Sequence, residues 1–309
     1  GNAGGAGSTP SISIDTLAPT LAITSDVGAV KAGEVATITF TFSEDPGASF
    51  VLGDIAVTGG TLGAITGTGL TRTAIFTPTA GLATGSASIT VASGAYTDAA
   101  GNNGGAGTTP SISIDTLPPT LAITSSVGAV KIGETATITF TFSEDPGASF
   151  TQGDVIVTGG TLGAITGTGL TRTAVFTPDT GLNATAASIT VAAGAYADAA
   201  GNDGGAGTTP AIAIDTLPPT VTIALDRTSL SATQTATVVF TFSEPVTGFS
   251  SADLSIDNAT LSGLTTADNI TWTATLTALP GITQTGNVIR LAASGVIDQA
   301  GNAGVGVIS

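Results

Sequence analysis

The 309-residue sequence contains no cysteine, no histidine and no methionine, one tryptophan, two tyrosines and only six basic residues. Without cysteine there is no disulfide to brace a fold and no thiolate to act as nucleophile or metal ligand. Without histidine the Ser-His-Asp and Cys-His arrangements are excluded, and the most versatile proton-transfer group near neutral pH is missing. Glycoside hydrolysis by paired carboxylates needs a raised pKa and a sugar-stacking cleft, for which three tyrosines and tryptophans are a poor supply. The chain therefore reads as a non-enzyme. Its 22 acids against six bases give a formal charge of −16, which repels phosphate backbones and anionic surfaces, so nucleic acid is not an expected partner. No apolar run approaches the roughly 20 residues that span a bilayer, so membrane insertion is not expected either.

What is present is glycine (43 residues) with abundant Ala, Thr and Ser, and a positive mean hydropathy of +0.45. Disordered chains combine low hydropathy with high charge, so this one reads as folded. It also repeats. The motifs "IDTLAP", "IDTLPP" and "IDTLPP" begin repeats at Asp15, Asp115 and Asp215, and "AGN" recurs at 100, 200 and 300. A period of 100 exceeds the roughly 20 to 50 residues of solenoid units, which predicts tandem globular domains at 15–114, 115–214 and 215–309. Residues 1–14 read as the last-strand segment of a preceding repeat.

In "ATITFTFSE", Ala36, Ile38, Phe40 and Phe42 alternate with threonines, the period of two that buries one face of a strand. Further strands are expected at 20–24, 54–59, 71–77, 88–93 and 111–114, separated by turn clusters such as "EDPGAS" and "DAAGNNGG". About seven short strands per 100 residues without helical periodicity predict an all-β chain of three immunoglobulin-like sandwiches. The two prolines of "DTLPPT" stiffen each joint, which predicts a head-to-tail rod.

Strand alternation then places the acids. The second strand returns to the N-terminal pole and delivers Glu44 and Asp45. The strand at 88–93, taken as the sixth of seven, also returns, and its loop brings Asp98 and Asn102 to the same pole, where Asp15 already enters and Asp54 begins the third strand. Carboxylates so close repel one another unless a cation sits between them. Calcium takes six to eight oxygen ligands, whereas zinc favours His or Cys, which the chain lacks, so calcium is the expected ion. The equivalents are Asp115, Glu144, Asp145, Asp154, Asp198 and Asn202, then Asp215, Glu244, Asp253, Asp298 and Asn302; Asp45 becomes Pro245 in the third repeat. The competing reading is that Asp and Asn merely close turns. At the far pole of each repeat, Asp26 or Glu34 is a candidate to add a ligand across the joint, although Ser126 replaces Asp26 in the second repeat. Trp272, in the place of Arg72 and Arg172, reads as a rim or core aromatic.

Taken together, "IDTLPPT", "ATITFTFSE" and "GAYTDAAGN" make the chain resemble the bacterial immunoglobulin-like repeats of giant RTX-type and biofilm-associated surface adhesins, over all three repeats. The resemblance implies secretion to the bacterial cell surface. It also implies a role as extender of a ligand-binding region lying elsewhere, with calcium stiffening the joints between neighbouring repeats through Asp115, Glu144, Asp198 and their equivalents. Two other readings stay open. One is a glycan- or protein-binding module using a sandwich loop or Trp272. The other is self-association into an extracellular filament, with residues 4–14 of one molecule added as a strand to the third repeat of the next.

Overall fold

The computed structural model describes residue 5 and residues 7–292 and 295–308. Gly4, Ala6 and Ser309, at the ends of the proposed strand exchange, lie outside the described residues.

The first repeat holds nine strands: β1 (Leu21–Ser25), β2 (Ala29–Lys31), β3 (Ala36–Phe42), β4 (Ile55–Thr58), β5 (Gly60–Leu62), β6 (Thr71–Pro78), β7 (Gly85–Val91), β8 (Gly107–Thr108) and β9 (Ile112–Asp115). They form two sheets, ordered β1-β3-β6-β5 and β2-β9-β7-β4, with β8 also paired to β7. This is an immunoglobulin-like sandwich. Alternation along β3 works as the sequence pattern requires. Ala36, Ile38 and Phe40 are fully buried, Phe42 nearly so, and the intervening threonines face outward. Phe42 packs edge-on against Phe50 and Tyr96, with ring centroids 4.9 and 5.2 Å away.

β9 pairs in parallel with β2, placing Val30 beside Ile114 and Lys31 beside Asp115. Its Ile112 and Ile114 are buried in the core, a contribution of roughly 1.5 to 3 kcal/mol each. The last strand of one repeat thus carries, at its end, the first carboxylate of the next.

The second repeat restates this set from Leu121–Ser125 to Ile212–Asp215. The third keeps the first sheet, in the order Val221–Leu225, Thr235–Phe242, Thr271–Ala278 and Ala259–Thr266, and has a three-stranded second sheet of Leu254–Ile256, Ile289–Leu291 and Val307–Ile308. The chain divides into two compact units. One comprises Gly1–Pro119 with Tyr196–Gly205, the other Thr120–Ala195 with Ala206–Ser309. The turn 196–205 of the second repeat therefore belongs with the first repeat. Among the described residues no helix is long and apolar enough to cross a membrane.

Candidate metal centre

Glu44 follows β3, whose end is fixed to the linker: Ser43 N–H donates to Thr20 O at 3.0 Å, and Thr20 N–H donates to Ser43 Oγ at 2.8 Å. Asp98 lies in a closed turn where Gly104 N–H donates to Tyr96 O at 2.8 Å and Asp98 N–H donates to Asn102 O at 3.2 Å. Tyr96 anchors that turn to the linker through its hydroxyl, which donates to Pro19 O at 3.3 Å. The tyrosine ring rests directly on Gly104, where a Cβ would stand 2.2 Å from it, so no other residue fits there. These fixings bring one oxygen each of Asp15, Glu44 and Asp98 within 4.8 Å of one another.

In the second unit, Asp215, Glu244 and Asp298 meet the same 4.8 Å limit. Asp115 and Asp198 repeat the arrangement in the first unit, where Asn202 Nδ2 donates to Asp115 Oδ1 at 3.1 Å and to Asp198 Oδ2 at 2.8 Å. Glu144 lies in the second unit.

Two oxygens that share a calcium ion at about 2.4 Å each are at most about 4.8 Å apart, so the observed spacing suits that ion. Three carboxylates supply hard oxygens only. In the third repeat, Oε1 of Glu244 is shielded from solvent and has no hydrogen-bond partner, an orphaned acceptor beside two further carboxylates. A cation held between the three carboxylates would satisfy it. Burial first, then the charges of Asp215 and Asp298, push the Glu244 carboxyl above the usual glutamate range; burial, Asp15 and Asp98 do the same to Glu44. Burial also pushes Asp98 upward, but the Asn102 side chain and the N–H groups of Asn102, Ala100 and Gly101 outweigh it and hold its carboxyl below the usual range.

Several expected ligands also accept hydrogen bonds within their own turns or from a neighbouring arginine. Asp54 Oδ2 accepts from Val51 N–H at 2.7 Å, capping a short 3-10 turn; Asp154 and Asp253 cap the same turn through Thr151 and Ser250. Asp45 accepts from Gly47 N–H at 2.9 Å and pairs with the buried Arg72 at 3.0 Å, and these two contacts hold its carboxyl below the usual range. Asp145 pairs with Arg172 in the same way at 3.1 Å. In the third repeat Pro245 and Trp272 replace the two partners together. Asp26 Oδ1 accepts from Thr37 N–H at 2.7 Å, a place that Ser126 fills equally through its hydroxyl at 2.9 Å. Glu34 Oε2 accepts from Lys31 N–H at 3.3 Å, closing its own turn.

The asparagines turn their amide nitrogens to the carboxylates. Nδ2 of Asn102 donates to Asp98 Oδ2 at 2.8 Å, and that of Asn302 donates to Asp298 Oδ2 at 2.8 Å. In the second and third repeats the amide oxygens are used across the joints. Asn202 Oδ1 accepts Ala32 N–H at 2.7 Å, and Asn302 Oδ1 accepts Ile132 N–H at 2.9 Å. A backbone N–H facing the amide fixes its orientation, because a second donor there would be unpaired. Beside these contacts, Lys31 Nζ donates to Gly201 O at 2.7 Å and Lys131 Nζ to Gly301 O at 3.2 Å. Lysine thus makes hydrogen bonds across the joint from the same turn.

Two further expectations concern the third repeat. The Trp272 ring meets Phe249 edge-on at 5.2 Å and packs, half-buried, against the core of the third sandwich. Ile12 and Ile14 are exposed, as strand addition requires. Their counterpart Ile114, however, sits against Gly59, where a Cβ would approach its Cδ1 to 2.9 Å. Asn258 occupies that position in the third repeat and holds Gln284 Oε1 at 2.8 Å and Asn287 Oδ1 at 2.7 Å. These amides border an open cavity lined also by Leu230, Ile256, Leu276 and Ile289, so the place of a last strand is open in the third repeat but is edged by Asn258 where the other repeats have glycine.

A family model described as a bacterial Ig-like domain matches residues 15–114, 115–214 and 215–309. No curated protein matches the sequence. A solved structure, "Crystal structure of Dpr2 Ig1-Ig2 in complex with DIP-Theta Ig1-Ig3", is similar at 11% identity and a TM-score of 0.34, over 94% of this chain and 97% of that chain. Resemblance that low carries no argument about function.

Proposed function

Because the chain belongs to the bacterial Ig-like domain family, we propose that it is a non-enzymatic extender segment of a secreted, cell-surface adhesin, whose repeats bind calcium between carboxylates at their joints. The observation that carries this reading is the third-repeat cluster, where Asp215, Glu244 and Asp298 converge within 4.8 Å and Glu244 Oε1 has no partner. In the first and third clusters the first carboxylate comes from the linker and the others from the body of the repeat. An ion held by both ties linker to sandwich, which is how binding would stiffen a tandem array and support adhesion or biofilm formation.

The filament alternative gains from the exposed Ile12 and Ile14 but is opposed by Asn258, so the extender reading is preferred. Calorimetric titration of the full chain with calcium tests it. The expected result is saturable binding, with magnesium weaker because it dehydrates reluctantly and demands tighter octahedral geometry. Absence of calcium binding at millimolar concentration would overturn the ion part of the reading.

A further inference from the structure

The same pair of contacts is built twice at a spacing of 170 residues. In each, a Lys-x-Gly-Glu turn (31–34 or 131–134) presents its lysine ammonium and the next backbone N–H to a Gly-Asn corner, Gly201–Asn202 or Gly301–Asn302. The first pair lies wholly within the first unit and the second wholly within the second. The turn is specific. Gly33 has φ of +78°, and the Glu34 carboxylate accepts from Lys31 N–H. In the third repeat the turn is Ser231-Ala232-Thr233-Gln234, with no ammonium and no residue at positive φ.

The first repeat has the matching corner with nothing on it. Asn102 is preset by the same bonds, donating to Asp98 Oδ2 and to Asp15 O. Yet Gly101 O and Asn102 Oδ1 accept no hydrogen bond among the described residues, Gly101 is exposed and Asn102 half-buried, whereas Asn202 and Asn302 are each 2% exposed. A second observation points to the same partner. Residues 10–15, Pro-Ser-Ile-Ser-Ile-Asp, are identical to 110–115, but Ile12 and Ile14 are 84% and 82% exposed while Ile112 and Ile114 are buried. They have the sequence of a last strand without its sandwich.

We infer that the Gly101–Asn102 corner is a docking face for one further Ig-like repeat, which carries a Lys-x-Gly-Glu turn and takes residues 10–15 as its last strand. The contacts across the joint use no carboxylate of the ion clusters, so the inference stands or falls independently of calcium. The third repeat of a second copy fits the corner less well, since Ser231 stands where the other repeats have the lysine.

The test adds a copy of residues 15–107 directly ahead of Ser8 in the full chain and follows amide hydrogen exchange. Residues 10–15 and 100–103 are both expected to slow at least about tenfold, toward the protection of 110–115 and 200–203 in the same molecule. Changing the added turn to Ser-Ala-Thr-Gln should then speed 100–103 about fivefold, the value of one hydrogen bond of about 1 kcal/mol, and leave 10–15 protected. Protection of 10–15 without any change at 100–103 would overturn the docking face. No protection at 10–15 would equally overturn the inference, because the segment would not be serving as that strand.

Discussion

Glu244→Gln separates an ion ligand from a merely structural side chain, because the two roles predict opposite signs. Without a divalent cation, the glutamate carries charge within 4.8 Å of Asp215 and Asp298, and its Oε1 makes no hydrogen bond that the change would lose. At that separation with water-like screening each neighbour costs about 1 kcal/mol, so neutralising Glu244 should stabilise the cation-free third repeat by roughly 1 to 2 kcal/mol. With calcium at 100 times the dissociation constant, the unaltered site gains about 2.7 kcal/mol; if the substitution weakens binding a hundredfold, only about 0.4 kcal/mol remains. The variant should therefore be the more stable protein in chelator and the less stable one in calcium. Trp272 makes this measurable for one repeat, since it is the only tryptophan and packs on Phe249 of the third sandwich. Urea unfolding followed by its emission, with and without calcium, gives both signs. A variant less stable in chelator, with an unchanged calcium increment, would refute the reasoning.

Arg72→Ala should destabilise the first repeat by about 1 to 3 kcal/mol, because it removes a buried guanidinium bonded to Gly69 O and Asp45; Asp45→Ala should cost less, and the double variant little more than Arg72→Ala. Thermal unfolding of the four proteins checks the cycle. Gly104→Ala should cost about 1 to 3 kcal/mol or more by driving a methyl into the Tyr96 ring, read by the same assay. Calcium affinity should fall as pH drops through the raised carboxyls of Glu44 and Glu244, a window above the ordinary glutamate value, and binding there should release protons to the buffer. The cation-free chain should behave oppositely across that window: a raised folded value gives stability below the ordinary value that is lost as pH rises. Asp45 and Asp98, whose carboxyls are held low, give stability that is lost only on further acidification, so its melting point should pass through a maximum on the acid side of neutrality.

The fold was legible because apolar residues and threonines alternate without interruption in β3 and its second-repeat equivalent, with only Val239 breaking the pattern in the third, and because the 100-residue period sets the repeats. The strands missed, β2, β5 and β8, are two or three residues long and rich in glycine or alanine, too short for a period of two to show. Strand polarity brought Asp15, Glu44 and Asp98 together only with 88–93 counted as the sixth strand, a place it owes to β5, which the sequence pattern did not show. It did not distinguish a carboxylate that is free to face an ion from one taken by its own turn, which is what separates Glu44 from Asp54. The Asp45–Arg72 pair did leave a trace in the sequence, since Pro245 and Trp272 replace both partners in the same repeat. The joint left one too: lysine and Gly-Asn recur in register at 31 and 201 and at 131 and 301, and Ser231 breaks the series. Reading it required knowing that the asparagine amide turns its nitrogen to the carboxylates and its oxygen to the neighbouring backbone.

The central claim is that calcium between carboxylates stiffens the array, and small-angle X-ray scattering of the full chain with calcium and then with excess chelator tests it most directly. The account predicts an increase in conformational spread on chelation, accompanied by a lower melting temperature and reversed when calcium is restored. Scattering curves and melting temperature that are the same in both conditions would contradict it.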